Sequence, residues 1–168
     1  MANVERDPAA EEKPLAHAGD LACFEVHENV FGIDVRRIRQ IVRSAAITPL
    51  PGAPAWIEGV IDLRDAMVPV VDLGLALGAE PIARAARSRI AVVDVDGFVI
   101  GLRVGRALEV LSLEGRAIEP PPAIALQAGY DPVAALLRRD DGSPVLELAL
   151  ERLVARLLQG TAREGGGA

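Results

Sequence analysis

Hydrophobic and polar residues alternate with a period of two over much of the chain, the pattern of half-buried strands. In LACFEVHE, Ala22, Phe24 and Val26 share one face, and Cys23, Glu25 and His27 share the other. Glu28-Asn29 interrupts the alternation, and Phe31, Ile33 and Val35 resume it. Asn accepts the left-handed backbone of a tight turn, so the pattern predicts a β-hairpin. Gly32 inside the second strand predicts a bulge or a close backbone approach. A second hairpin is expected in RIAVVDVDGFVIGLRV, where Asp96-Gly97 carries the strong type I′ signal between Val- and Ile-rich runs. Between the hairpins, IEGVIDLRDAMVPVVDL reads as strands 57–63 and 67–71 joined across Arg64-Asp65-Ala66, with Pro69 implying an edge or a bulge. A further turn is expected at Asp140-Asp141-Gly142-Ser143.

Three stretches depart from this period. In VRRIRQIVRS, Val35, Ile38, Ile41 and Val42 recur at helical spacing, which predicts a short amphipathic helix running into an extended segment. Arg36, Arg37, Arg39 and Arg43 would face outward, as a solvated surface or as a contact for an acidic partner. DLGLALG reads as one or two helical turns ended by Gly78. In LALERLVARLLQG, Leu150, Leu153, Val154, Leu157 and Leu158 line one face of a helix stopped at Gly160. Pro49, Pro51 and Pro54 around Gly52, and the run at 120–122, mark rigid irregular connections. Many short strands with one terminal helix predict an all-β fold of barrels. Two β-rich halves are expected to meet near 79–88 and to share an apolar core, with a disordered acidic leader at 1–20, a folded part at 21–160 and a disordered tail at 161–168.

Composition narrows the function. A net charge of −6 and a pI near 5.0 argue against nucleic acid, which wants a surplus of Lys and Arg. Phe24, Phe31, Phe98, Trp56 and Tyr130 are too few and too apolar in context for a base-stacking platform. No apolar run approaches the roughly 20 residues of a membrane-spanning helix, and the N-terminus lacks a signal-peptide core, so a cytoplasmic location is expected. The catalytic inventory is thin. His17 and His27 are the two histidines, Cys23 the single cysteine and Lys13 the single lysine. Ser44, Ser88, Ser112 and Ser143 lie in no nucleophile turn. These absences predict a protein that is not an enzyme and uses no cofactor or metal. The remote catalytic alternative is a carboxylate-based hydrolase using Asp62, Asp65 and Asp72, which would need neighbours that push their pKa values apart.

The order of the pieces resembles the CheW-like family of bacterial chemotaxis coupling proteins. The residues that carry the resemblance are FGIDVRRIRQIV (31–42), ITPLPGAPAWIEGVIDLRDAMVPVVDLGLALG (47–78), VIGLRVGRALEVLSL (99–113) and ELALERLV (147–154). The resemblance implies two SH3-like five-stranded β-barrels with a shared core. It also implies an adaptor that binds the regulatory domain of a CheA-type histidine kinase, the cytoplasmic tips of methyl-accepting chemoreceptors and other CheW-like domains. Position by position it implies partner contacts at Ile38, Gln40, Ile41, Arg64, Asp65, Val104 and Gly105, with Val110 beside them. Arg64 matches the family arginine of the N-L-R-G turn, where a local ion pair with Asp62 or Asp65 is the alternative reading. Four positions depart from the family pattern: Gln40 for Glu, Asp62 for Asn, Asp65 for the turn glycine and Gly105 for Asp. Such charge changes alter partner choice more than fold, and they allow a second reading, a divergent scaffold that has lost one partner.

Overall fold

The computed structural model describes residues 19–166 except 44 and 130, with side chains described as far as 160. Of the expected leader at 1–20, residues 1–18, which include His17 and Lys13, lie outside that description, as do Ser44 and Tyr130. Ten strands form two five-stranded sheets among the described residues. The first sheet has the order β8-β1-β2-β10-β9, with β1 at Asp20–Val26, β2 at Asn29–Asp34, β8 at Ala107–Ser112, β9 at Val133–Arg138 and β10 at Pro144–Leu148. The second has the order β3-β6-β7-β5-β4, with β3 at Ile38–Val42, β4 at Ile57–Leu63, β5 at Ala66–Asp72, β6 at Arg89–Val95 and β7 at Phe98–Val104. Short helices α1 (Leu73–Ala76) and α2 (Ala123–Gln127) and the long α3 (Leu150–Gly166) complete the fold.

These sheets correct the expected seam at 79–88. The two halves do not divide the chain there. The first sheet is built from both chain ends, and the second from the middle. The chain changes sheet at the 3-10 turn Val35–Arg37 and again between β7 and β8. Residues 79–88 stay with the second sheet, between α1 and β6, and are pinned rather than loose. Asp72 accepts from Ile82 N at 3.0 Å, Ser88 Oγ is bonded by the buried Arg103 at 3.2 Å, and His27 Nε2 donates to Glu80 O at 2.6 Å.

Both sheets follow one plan. A hairpin forms the centre (β1–β2, β6–β7); its second strand runs parallel to a third strand (β10, β5), which pairs antiparallel with the edge strand just before it in the chain (β9, β4). Beyond the other edge strand, a single bridge leads back toward the far edge: Thr48 to Val60 in the second sheet and Glu119 to Leu136 in the first. Each such closure curls its sheet into a barrel around its own interior. Leu21, Cys23, Leu111, Leu137 and Val145 fill one interior, and Ile61, Val68, Val70, Ile90 and Val92 fill the other. The largest cluster lies between the barrels, where Phe24, Phe31 and Ile33 meet Val71, Val93, Leu102 and the α3 residues Leu153 and Leu157.

The expected hairpins form, with two local changes. The first turn is His27-Glu28 rather than Glu28-Asn29, with His27 at φ 58°. Asp96-Gly97 has φ of 52° and 91°, both positive as a type I′ turn requires. At Gly32 a Cβ would stand 2.8 Å from Leu21 Cδ1, so the glycine answers a close approach across the hairpin. The expected helix at 35–42 reduces to one 3-10 turn followed by the edge strand β3. At the other end, α3 does not stop at Gly160; its backbone continues to Gly166.

Candidate functional site

The residues singled out from sequence fall in three places. Ile38, Gln40 and Ile41 lie on β3, an edge strand paired only with β6. Ile38 is half-buried against the shared core, Gln40 is exposed, and Ile41 is 42% exposed although it is a large apolar residue. The neighbouring Arg39 bonds Asp94 at 2.8 Å. Gly97 N–H first, and then Arg39, hold the Asp94 carboxyl below its ordinary range. An edge strand with a free backbone rim and an uncovered isoleucine is suited to meeting another protein.

Arg64 and Asp65 form the β4–β5 turn, and both are exposed. Arg64 makes no hydrogen bond or ion pair with a described residue, so the local pair with Asp62 or Asp65 does not form. The left-handed residue of this turn is Arg64, at φ 49°, and not Asp65. Asp65, which stands where the family has its turn glycine, therefore needs no left-handed backbone. A non-glycine residue in that region costs roughly 1–2 kcal/mol, and here it holds an unpaired guanidinium in solvent. Strand directions place this turn, the Asp96-Gly97 turn and the start of β3 at one end of the second sheet.

Val104 and Gly105 stand at the other end of β7. Val104 is fully buried in the shared core, which leaves no side-chain surface for a partner. Gly105 N–H donates to Glu25 O at 2.7 Å, and a Cβ at Gly105 would lie 2.8 Å from that carbonyl. The missing family aspartate is thus explained by a close approach of the two barrels. Val110, at the matching edge of the first sheet, is 61% exposed.

The three acids of the hydrolase alternative do not converge. Asp62 and Asp65 are exposed beside the turn. Asp72 is buried at the far end of β5, where its carboxylate caps α1 through Leu75 N at 2.9 Å. Cys23 is buried, and burial pushes its thiol up to about 11, far from a reactive thiolate.

Sequence reasoning missed one surface. An apolar groove of about 200 Å³ runs between the outer face of the second sheet and α3, lined by Trp56, Val71, Phe98, Ile100, Val154 and Leu158 among others. Its lips are uncovered: Phe98 is 57% and Leu158 53% exposed. The signal was present in the helical stripe, where Leu158 extends the apolar face one position beyond Leu153 and Leu157, which the shared core covers.

Comparison with known proteins agrees with this geometry. The family model of the CheW-like domain matches residues 20–158. The chain is 36% identical over 114 residues to the chemotaxis protein CheW of Rhizobium meliloti (strain 1021), covering 67% of this chain and 74% of that one. It is 26% identical over 163 residues to protein FrzA of Myxococcus xanthus, covering 90% and 98%. The crystal structure of the scaffolding protein TtCheW from Thermoanaerobacter tengcongensis superposes with a TM-score of 0.69 at 30% identity, over 77% of this chain and 88% of that one. With two interleaved barrels, an open β3 edge and a family match over residues 20–158, the chain belongs to the CheW-like domain family of chemotaxis scaffolds.

Proposed function

We propose that this chemotaxis adaptor has no chemistry of its own and joins its partners through two separate surfaces. A CheA-type kinase regulatory domain, itself CheW-like, docks along the β3 edge and the Arg64 turn. The chemoreceptor tip docks in the apolar groove between the second sheet and α3. The observation that carries this reading is the groove, whose large apolar lips Phe98 and Leu158 are more than half exposed. A groove of this kind accepts the apolar face of a partner helix, read at helical spacing. The β3 edge offers a different mode, backbone pairing reinforced by Ile41 and by an arginine free to take a bidentate acceptor.

Capture of purified kinase and receptor fragments tests the assignment. Phe98→Asp with Leu158→Asp is expected to abolish receptor capture and leave kinase capture intact. Ile41→Asp with Arg64→Ala is expected to do the reverse. Loss of both partners by either pair in a folded protein, or loss of neither, overturns the division.

A further inference from the structure

Alignment of the two barrels places Glu147 of β10 at the position of Val70 of β5. Glu147 pairs with Gly32 in the parallel ladder, as Val70 pairs with Gly101. Val70 is fully buried and packs in its barrel interior. Glu147 is just as deep, at 2% exposure, and its Oε1 has no hydrogen-bond partner. An unpartnered carboxyl at that depth costs stability unless something fills the space before it.

The space before it is a cavity of about 130 Å³ lined by Asp34, Arg37, Glu147, Ala149, Glu151 and Arg152 among others. Two of its acids are already neutralised. Asp34 takes a two-point ion pair from Arg36, at 3.1 and 2.8 Å, and Glu151 pairs with Arg37. What remains unpartnered is a set of donors. Arg152 makes no hydrogen bond or ion pair with a described residue. The first turn of α3 lacks a cap: Ala149 stands where Asp72 caps α1, and no described side chain accepts from Leu150, Glu151 or Arg152. Burial first, and the Asp34 charge second, push the Glu147 carboxyl up to about 8, so at neutral pH it carries a proton. Asp34 faces it from β2, Arg37 from the 3-10 turn, and Glu151 and Arg152 from α3.

We propose that this pocket is a binding site for a carboxylate, held by the Arg152 guanidinium, the first-turn amides of α3 and the acid hydrogen of Glu147. A carboxylic acid and a carboxylate sharing one proton is a stable pair where two ionised carboxylates are not. A helix N-terminus favours the anion on the other side. The ligand is either a free small carboxylate or an acidic side chain of a bound protein; the site shares no lining residue with the apolar groove, and its Arg37 immediately precedes the β3 edge.

Acetate is the probe, titrated into the full chain against chloride of equal ionic strength while the amide resonances of Glu151 and Arg152 are followed. Saturable shifts confined to the first turn of α3 are expected, weakening at least tenfold between pH 6 and pH 9.5. Arg152→Ala should weaken binding at least fivefold. Glu147→Gln keeps a donor and should retain binding while losing the pH dependence, and Glu147→Val should abolish it. No saturable shift, a pH-independent affinity, or saturation by methylammonium in place of acetate overturns the proposal. Saturating acetate that weakens kinase- or receptor-fragment capture identifies a partner's acidic side chain as the ligand; undiminished capture identifies a free carboxylate.

Discussion

The two barrels share strand order, hairpin and closing bridge, yet they spend their polar residues differently. In the second barrel the acid that ends β5, Asp72, serves the backbone: it caps α1 and ties down Ile82. The interior behind it is apolar at Val70. The first barrel has a methyl at Ala149, where a cap would stand, and a carboxyl at Glu147, where its sister has that valine. The second barrel is therefore saturated internally and presents its unused groups outward, at Ile41, Arg64 and Phe98. The first keeps unused groups inside, around a cavity. One backbone plan supports both, because the ladder is made by backbone N–H and C=O groups and tolerates either a carboxyl or a valine at one inward position.

The largest effect is expected at the seam the barrels share. Phe24, 1% exposed, should cost roughly 3–5 kcal/mol on truncation to Ala. Urea unfolding should still show one transition, since the shared core couples the two barrels; two separate transitions would show them to be independent. Next comes Glu147→Val, which makes the first barrel resemble the second. The Glu147 carboxyl is raised in the folded state from 4.5 to about 8. The Glu147 contribution to wild-type stability is therefore full below about pH 4.5 and is lost as pH rises through about 8. The variant should lack this decline and exceed the wild type by on the order of 3 kcal/mol at pH 9. Parallel stability profiles for the two proteins would refute the contrast. Asp72→Ala, the converse change, removes the cap and the Ile82 bond and should cost about 2 kcal/mol, read from the thermal midpoint. The smallest effect is expected for Arg64→Ala, which should alter stability by less than about 0.5 kcal/mol, because nothing described in the fold holds its guanidinium. A larger loss in calorimetry would assign Arg64 to the fold and not to a partner.

Much of this plan was legible in the chain. Period-two alternation located both central hairpins, and Asp96-Gly97 set the second turn to the residue. The edge strand β3 was misread because a register shift between Ile38 and Gln40 breaks its alternation. The break makes Val35, Ile38, Ile41 and Val42 imitate a helical stripe. The exchange of strands between barrels was not legible, because apolar pattern says which face is buried and not which strand lies alongside. Among the site residues, Ile41 and Arg64 were placed where a partner can reach them. Val104 was not, since a motif match does not distinguish a buried valine from an exposed one. Glu147 drew no reading of its own from the sequence. Its parity with the buried Val145 was the available sign that it points inward.

The exchange of strands has a consequence for how the molecule can be taken apart. Residues 20–76 supply a hairpin to one barrel and three strands to the other, and residues 89–148 do the same in reverse. This is the geometry of a two-fold, domain-swapped dimer whose two protomers have been fused end to end through 79–88. A nick in that connection would release neither fragment, because each remains clasped by the other on both sides.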